Sequence, residues 1–332
     1  MRKVPPHVAR SHPLVTGKYA IHTAAIAAMV DVFAGWIENR ISGAYIFGPS
    51  RFGKSRAVKW FLKELLEEHF KQSVPLHVWI RPFQAKSPAE FYKLVLTGFR
   101  HGYGGNRASG SDRLEILIEF LISSAQACDT NYALLVIDEA QGLTTDEWLW
   151  LMAVQNRLVD EGYALSVFAV ASHQIAYEFD LLVRTGNPHI AARFLVDQWK
   201  FPGVESIEEL QFILDGYDEQ SRWPVIDGVS YLEHFAPADF KQGRRLGESA
   251  PQLWEALVAL LPTDYKGPWI FPMKHIALAV EDALFRIASG KDWDDITSTK
   301  AWIEALVKHR LSDHMRAISL NVTLPPKNVL HS

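Results

Sequence analysis

One eight-residue stretch constrains the fold more than any other part of this 332-residue chain. It runs from Gly48 to Ser55 and fits the pattern G-x-x-x-x-G-K-[ST], with an apolar segment at 44–47 before it and an amphipathic segment after it. Such a loop between a strand and a helix points backbone N–H groups and the helix start at an anion. The sequence therefore predicts a phosphate-binding loop in an α/β fold, with a chance glycine-rich turn as the alternative.

The residue types of the loop predict ATP and Mg²⁺ as its ligands. Lys54 would reach the β- and γ-phosphates, and the Ser55 hydroxyl would bind Mg²⁺. The loop residues expected to contact the nucleotide are Gly48, Pro49, Ser50, Arg51, Phe52, Gly53, Lys54, Ser55 and Arg56.

A second apolar segment, at 133–137, ends in Asp138 and Glu139. A continuous apolar run of this length is typical of a strand buried in a parallel sheet. Asp138 is suited to hold Mg²⁺ directly or through water, because this cation prefers oxygen ligands. Glu139 is suited to be the base that orients and polarises an attacking water molecule. The pair favours hydrolysis over transfer to a hydroxyl acceptor; two solvated acids at a strand end are the alternative.

Strand and helix patterns alternate along the first two-thirds of the chain. Apolar segments predict five strands, at 44–47, 76–80, 133–137, 165–171 and 199–201. Helical patterns separate them, which predicts an α/β fold with a parallel five-stranded sheet and helices on both faces. After residue 206 only helical patterns remain.

These patterns predict three regions. An N-terminal arm and helix occupy 1–40, with residues 1–18 extended and loosely attached. A P-loop ATPase core occupies 41–203, and a smaller helical lid with a C-terminal extension occupies 204–332.

The fourth predicted strand ends near two further candidates, Ser172 and Gln174. In the usual strand order this strand lies between the first and the third, so a polar side chain at its end could contact the γ-phosphate or hold the water. A plain strand-to-helix cap is the alternative.

Several arginines could complete a nucleotide site. Arg193 could project into the site of a neighbouring subunit, as arginine fingers do. A surface salt bridge is the competing interpretation, and Arg184 is the second candidate. Arg244 and Arg245 lie where a helical lid could fold back onto the phosphates.

The composition excludes other classes of protein. A formal net charge of −4 gives no global argument for nucleic-acid binding, although the segment before Asp31 contains basic residues and no acid. The single cysteine, Cys128, excludes an internal disulfide and a cysteine-rich zinc cluster, and it fits a reducing cytoplasm. No apolar run approaches the roughly 20 residues of a membrane-spanning helix. We therefore expect a cytoplasmic protein.

The order of these segments resembles the AAA+ ATPases. The resemblance rests on a strand, GPSRFGKS, a second strand, a long helical insert, LLVIDEAQ, VFAVASHQ, AARF and a helical C-terminal half. Within that superfamily the chain looks most like the TnsC/TniB transposition regulators, the ATP-dependent DNA-bound adaptors of transposons, including those guided by CRISPR complexes. The particular cues are DEAQ and the segment VWIRPFQAKSPAEFYKLVLTGF, and the resemblance spans roughly residues 20–260.

The resemblance implies a homo-oligomer, a ring or filament of ATP-bound subunits around double-stranded DNA. A target-selection protein of the TniQ/TnsD type would bind one face, and a transposase of the TnsB/TnsA type the other. Lys54, Ser55, Asp138 and Glu139 would form the nucleotide site. Arg193 would be the finger, and Arg244 or Arg245 the lid arginine.

DNA contacts in this family come from loops between the second and third strands. Here those loops hold Lys86, Arg100, Arg107 and Arg113. Because the net charge is acidic, binding would rest on a few loop cations repeated around an oligomer, and its affinity would fall steeply with salt.

Two other functions stay open on the sequence alone. One is a nucleotide-gated signalling scaffold that neither hydrolyses ATP nor contacts DNA, which the presence of Glu139 disfavours. The other is a small-molecule kinase, which is disfavoured because the sequence offers neither an arginine-rich lid nor an acceptor pocket.

Overall fold

The computed structural model describes residues 3–100 and 109–323, with side chains through residue 319. The described residues form two compact units. The sheet unit contains residues 28–49 and 54–201, and the helical unit contains the described residues of 1–27, 50–53 and 202–332. This division differs from the predicted regions, because the first 27 residues and the centre of the phosphate loop belong with the C-terminal helices.

Five parallel strands build the sheet unit. They are β1 (Gly43–Phe47), β2 (Leu76–Ile80), β3 (Tyr132–Asp138), β4 (Ala164–Ala171) and β5 (Asp197–Lys200). Their order is β2-β3-β4-β1-β5, so β4 lies between β1 and β3 as predicted. The register pairs Phe47 with Ala171 and Asp138 with Val170. The carboxyl ends of β1, β3 and β4 therefore meet at one edge, where open α/β sheets bind their ligands.

Helices flank both faces of this sheet. Up to β5 the helices are α1 (Pro13–Thr16), α2 (Ala24–Glu38), α3 (Lys54–Ala57), α4 (Lys63–Phe70), α5 (Pro88–Gly98), α6 (Gly110–Gln126), α7 (Thr145–Asp160), α8 (Ile175–Arg184) and α9 (Pro188–Phe194). On one face Phe33 of α2 meets Phe168 of β4, with ring centroids 5.2 Å apart. Val167 and Ala169 point to the other face, since neighbouring strand residues alternate, and pack there with α5, α6 and α7.

The P-loop helix is continuous but locally widened. A π-helical turn, Val58–Leu62, joins α3 to α4. Buried Val58 and Leu62 anchor this turn, while Lys59 stays exposed.

The helical unit follows β5. Its helices are α10 (Ile207–Asp215), α11 (Tyr231–Phe235), α12 (Pro237–Lys241), α13 (Ala250–Ala259), α14 (Met273–Ala288), α15 (Trp293–Ile296), α16 (Thr299–Lys308) and α17 (Leu311–Thr323). The expectation of helices alone after residue 206 was wrong, since β6 (Arg222–Trp223) and β7 (Val229–Ser230) form an antiparallel pair. Strands of two residues are too short to produce the alternation that marks a strand in a sequence.

The N-terminal arm is not loosely attached within its described residues. Val8 and Leu14 are buried in the core of the helical unit, where the His12 ring stacks on His234 with centroids 4.6 Å apart. Burial, with His234 adding to it, lowers the pKa of His12 to about 3. The three prolines among residues 1–18 suggested an extended arm, but burying Val8 and Leu14 removes apolar area from water and so favours packing. Along the part of the chain that the structure describes, no helix is long and apolar enough to cross a membrane.

Candidate nucleotide site

The phosphate loop leaves β1 and turns through two residues of left-handed conformation. Arg51 has a φ of 70° and Gly53 a φ of 117°. Side chains rarely tolerate the conformation at Gly53, so that position requires glycine. This turn allows successive N–H groups of the loop to face a bound anion.

Lys54, the first residue of α3, is held against the loop. Its Nζ donates to the carbonyl oxygens of Gly48 and Pro49, at 2.7 and 2.8 Å. Burial lowers the pKa of Lys54 to about 8, against the opposing effect of the Asp138 and Glu139 carboxylates. A phosphate in the loop would favour the charged ammonium again. Lys54 is therefore partly desolvated and placed to bind phosphate.

Asp138 and Ser55 form the oxygen pair expected for Mg²⁺. Asp138 is only 6% exposed, and its side chain is hydrogen-bonded to that of Ser55. Burial raises the pKa of Asp138, while hydrogen bonds from Ser55 and from the N–H of Glu139 act against the rise. A hydroxyl and a carboxylate fit Mg²⁺ in a phosphate site, because nucleotide oxygens and water supply its other ligands. No group of three or more metal-ligating His, Cys, Asp or Glu side chains occurs within 3–100 and 109–323.

Glu139 stands beside this pair and faces solvent. Its φ is 59°, an unusual value for a residue with a side chain, and its N–H donates to Oδ1 of Asp138 at 3.0 Å. The backbone therefore turns sharply after β3, and this turn presents the carboxylate at the same sheet edge as Lys54. The predicted base and the predicted magnesium ligand are thus consecutive residues, and the backbone N–H of the first donates to the carboxylate of the second.

The residues that follow β4 lie at the same sheet edge, beside the ends of β1 and β3. The Ser172 Oγ is buried and has no hydrogen-bond partner among the described residues, while Gln174 is exposed and makes no side-chain cap for α8. Between them His173 packs edge-on against Phe47, with ring centroids 5.5 Å apart. Burial and the charges of Lys200 and Lys54 lower the pKa of His173. An unpaired buried hydroxyl at this place fits a contact to phosphate better than the exposed amide of Gln174 does.

Sequence reasoning missed Gln141, the last letter of DEAQ. Its Nε2 donates to Oε2 of Glu139 at 2.6 Å, and its Oε1 accepts the N–H of Ser172 at 3.1 Å. One side chain therefore joins the ends of β3 and β4. The only sequence signal was its position two residues after the predicted base.

A buried ion pair behind the site was also missed. Arg81, which follows β2, donates from Nη2 to Oε2 of Glu147 at 2.8 Å, and the Glu147 side chain is fully buried. Glu147 also accepts the N–H groups of Ala85 and Thr144, at 3.0 and 2.9 Å. The capping pattern of Thr144 and Glu147 was visible in the sequence, but the partner 66 residues earlier was not.

The centre of the phosphate loop has its own support in the helical unit. The N–H of Lys274, in the first turn of α14, donates to the carbonyl oxygen of Arg51 at 3.1 Å. Phe52 is buried, and Gly53 lies close to the Met273 side chain. Nothing in the loop sequence indicated that α14 would contact it.

Three of the four candidate arginines have partners within their own units. Arg193 donates to Oδ1 of Asn156 at 2.7 Å, a neutral amide rather than the carboxylate of a salt bridge. Arg244 contacts Asp239 and Asp294, at 3.5 and 3.4 Å. Arg245 lies over the Phe240 ring and 3.6 Å from Glu219. The finger and lid roles stay predictions. Arg184, the second finger candidate, is exposed at the end of α8.

The four cations predicted to contact DNA differ in their surroundings. Lys86 and Arg100 are exposed, and Arg107 lies outside the described residues. The loop position predicted for Arg113 was wrong: this residue belongs to α6, is 8% exposed, and donates to the carbonyl oxygen of Ala89 at 2.9 Å. A helix beginning at Gly110, with Ser109 as its cap, removes Arg113 from the surface loop.

Comparisons with known proteins agree with this geometry. Residues 42–176 match a family model described as AAA domain. The fold is similar to that of the Aeropyrum pernix ORC2 protein in its ADP form, with a TM-score of 0.55, 15% identity, and coverage of 92% of this chain and 70% of that chain. No curated protein matched.

Two further structures are more distant. Cdc6p from Pyrobaculum aerophilum has a TM-score of 0.44 and 11% identity, with coverage of 96% of this chain and 98% of that one. Drosophila ORC bound to DNA has a TM-score of 0.45 and 14% identity, with coverage of 88% and 62%. At these TM-scores they add nothing to the fold assignment.

The fold class predicted from the sequence is confirmed. The structure has a parallel five-stranded sheet, a phosphate loop after its first strand and a C-terminal helical region. Residues 42–176, which contain the predicted phosphate-binding loop at Gly48–Ser55, match the AAA domain family.

Proposed function

We propose that the chain binds ATP with Mg²⁺ and hydrolyses it. The observation that carries this proposal is the meeting of Lys54, the Ser55–Asp138 pair and Glu139 at one edge of the sheet. A cation for the phosphates, oxygen ligands for a metal ion and an exposed carboxylate are the parts that attack by water requires.

Each residue has one task in this reaction. Lys54 exchanges its two carbonyl partners for oxygens of the β- and γ-phosphates. Ser55 and Asp138 hold Mg²⁺, which when bound neutralises charge on the phosphate oxygens. Glu139 takes a proton from the attacking water while the oxygen of that water forms a bond to the γ-phosphorus. The bond from that phosphorus to the bridging oxygen breaks, and ADP leaves. The hydroxyl of Ser172 donates a hydrogen bond to an oxygen of the γ-phosphate.

We propose further that ATP-bound copies assemble on double-stranded DNA. The loop after β2 supports this, because the N–H of Ala85 is held by Glu147 and that of Lys86 by Oε2 of Glu90, at 3.0 and 2.7 Å. A loop anchored at both positions presents the exposed Lys86 side chain at low entropic cost. Arg100, also exposed, and Arg107 are the other cations we assign to DNA.

The finer role that we propose is that of a transposition regulator. It rests on the resemblance to the TnsC/TniB proteins, with a TniQ/TnsD-like target-selection protein and a TnsB/TnsA-like transposase as partners. In such an assembly Arg193 would enter the neighbouring subunit's site as a finger, and Arg244 or Arg245 would serve as the lid arginine.

The assembly is tested by electron microscopy of purified protein mixed with duplex DNA and a non-hydrolysable ATP analogue, at low and high salt. We expect regular rings or filaments on DNA that disappear with Lys54→Ala and at high salt. Lys59→Ala is the matched control, because Lys59 is exposed in the same helical stretch and lies outside the phosphate loop.

Two outcomes would contradict parts of this proposal. Particles that never associate with DNA under any nucleotide would leave the ATPase and indicate a nucleotide-gated scaffold. Assembly that is unchanged in Lys54→Ala would show that nucleotide at this loop does not drive it.

A further inference from the structure

Gln141 occupies a place in the site that the proposed reaction does not use. Its side chain links the carboxylate of Glu139 to the end of β4 through two hydrogen bonds. It donates to Glu139 at 2.6 Å and accepts from the N–H of Ser172 at 3.1 Å. The two groups that it joins are the proposed base and the residue whose hydroxyl is proposed to contact the γ-phosphate.

The orientation of the Gln141 amide follows from its partners. A backbone N–H can only donate, so the amide oxygen must face Ser172. The amide nitrogen then faces Glu139, whose carboxylate is an acceptor when it is ionised. In a flipped amide, the NH₂ group would face the N–H of Ser172 and the amide oxygen would face the carboxylate of Glu139, so neither hydrogen bond could form. The link therefore has a single satisfied arrangement.

Arg81 and Glu147 hold the turn that carries Gln141. The N–H of Arg81 donates to the carbonyl oxygen of Asp138 at 3.2 Å, and a Cβ at Gly142 would lie 2.7 Å from Nη1 of Arg81. Glu147 fixes both the guanidinium of Arg81 and the N–H of Thr144. With both ends of the turn fixed, the main freedom left is rotation of the Gln141 and Glu139 side chains.

We propose that Gln141 is a positioning residue that holds Glu139 in line for attack and ties its orientation to the end of β4. This inference rests on the proposed hydrolysis at the same site. A carboxylate on a residue as exposed as Glu139 samples several rotamers, and each strong hydrogen bond restricts them. The hydrogen bond to Ser172 makes the position of Glu139 depend on the strand end that contacts the γ-phosphate.

Two substitutions at Gln141 separate its hydrogen bonds from its size. Gln141→Met keeps the length of the side chain and removes both bonds. Gln141→Glu keeps an acceptor for the N–H of Ser172 but places a second carboxylate against Glu139. We expect Gln141→Met to lower kcat about 10- to 100-fold, the loss typical of removing a group that orients a catalytic residue, with the KM for ATP unchanged within about twofold.

The second substitution tests positioning in a different way. The new carboxylate of Gln141→Glu repels that of Glu139 and displaces the base. We therefore expect Gln141→Glu to lower kcat at least as much as Gln141→Met, again with the KM for ATP unchanged within about twofold.

The experiment measures ATP turnover of the full chain for wild type, Glu139→Gln, Gln141→Met, Gln141→Glu and the double variant Glu139→Gln/Gln141→Met. If Gln141 acts through Glu139, the double variant is no slower than Glu139→Gln alone. Thermal unfolding of each variant, expected within a few degrees of wild type, shows that the chain is folded. Exposed Gln72, which follows α4 outside the site, is replaced by Met as the matched control and should keep the wild-type kcat.

The possible results separate the two proposals. Absence of wild-type turnover would overturn the proposed hydrolysis and this inference together. Wild-type turnover with an unchanged or raised kcat in Gln141→Met would overturn the inference alone. A folded Gln141→Met that loses ATP affinity in proportion to kcat would also overturn it, because the residue would then serve binding rather than orientation of the base.

Discussion

The Arg81–Glu147 pair offers a sharp test of how the site is held. Glu147 has no solvent exposure and accepts hydrogen bonds from the guanidinium of Arg81, from the N–H of Ala85 and from both the N–H and the hydroxyl of Thr144. Glu147→Gln keeps the size of the side chain but replaces one oxygen by an NH₂ group. That group would face other donors, and the charge of Arg81 would lose its counterion.

The expected loss of stability follows from the burial of the Arg81 side chain. The Arg81 side chain is 11% exposed, so little water is available to solvate its charge. Breaking a buried ion pair by neutralising one partner costs about 3–5 kcal/mol. For a unit of 150–250 residues, in which 1 kcal/mol shifts Tm by about 2–4 °C, the melting temperature should fall by roughly 6–20 °C.

The assay is thermal unfolding followed by circular dichroism, with hydrogen exchange of the peptides that contain Ala85 and Thr144. Because the chain has two compact units, exchange identifies which unit has been destabilised. Glu115→Gln is the matched control. It removes one partner of the Arg157–Glu115 pair, whose atoms are 3.0 Å apart but whose side chains are 33% and 48% exposed, so solvent screens the loss.

A double-variant cycle with Arg81→Met completes the test. We expect the two substitutions to be non-additive, with the pair of changes costing less than the sum of the single ones. The reasoning would be refuted if Glu147→Gln lowered the melting temperature no more than Glu115→Gln, or if the N–H of Ala85 exchanged no faster than in wild type.

Three further predictions concern Lys54, Arg193 and Asp218. Because burial lowers the pKa of Lys54 to about 8 and phosphate restores its charge, ATP binding should take up close to one proton at about pH 9 and little at about pH 7. Calorimetry in buffers of different ionisation enthalpy measures this uptake, and Lys54→Arg, always charged, should show none from this site. Arg193→Ala should lose hydrolysis and keep ATP affinity; loss of ATP binding instead would argue against a finger. Burial raises the pKa of Asp218 from 3.8 to about 7, so the native state keeps a proton that the unfolded state releases, and stability should fall as pH rises from about 4 to about 7. In denaturant titrations, Asp218→Asn should weaken the dependence of the free energy of unfolding on pH in this range. An unchanged slope of that free energy against pH would contradict the prediction.

The fold was predictable where local pattern determines structure. The phosphate loop, the apolar run before Asp138 and the alternation of strands with helices are each encoded within a few residues. The placement of β4 between β1 and β3 then followed from the usual ordering of such sheets, and the structure confirms it. These features required no knowledge of distant contacts.

The parts that escaped prediction depend on residues far apart in the chain. Gln141 meets Ser172 across 31 positions, and Arg81 meets Glu147 across 66. His12 stacks on His234, which fixes an arm that the prolines made look extended. In each case the sequence shows a suitable residue but not its partner, because tertiary packing rather than local propensity brings the two together.

The central claim is that Glu139 drives hydrolysis of ATP bound by the loop of Lys54. Single-turnover conversion of radiolabelled ATP, with excess wild-type protein or Glu139→Gln and with ATP affinity measured on both, tests it most directly. We expect equal affinity within about twofold and conversion that is at least ~100-fold slower in Glu139→Gln, the range for loss of a general base. Equal rates of conversion in the two proteins would contradict it.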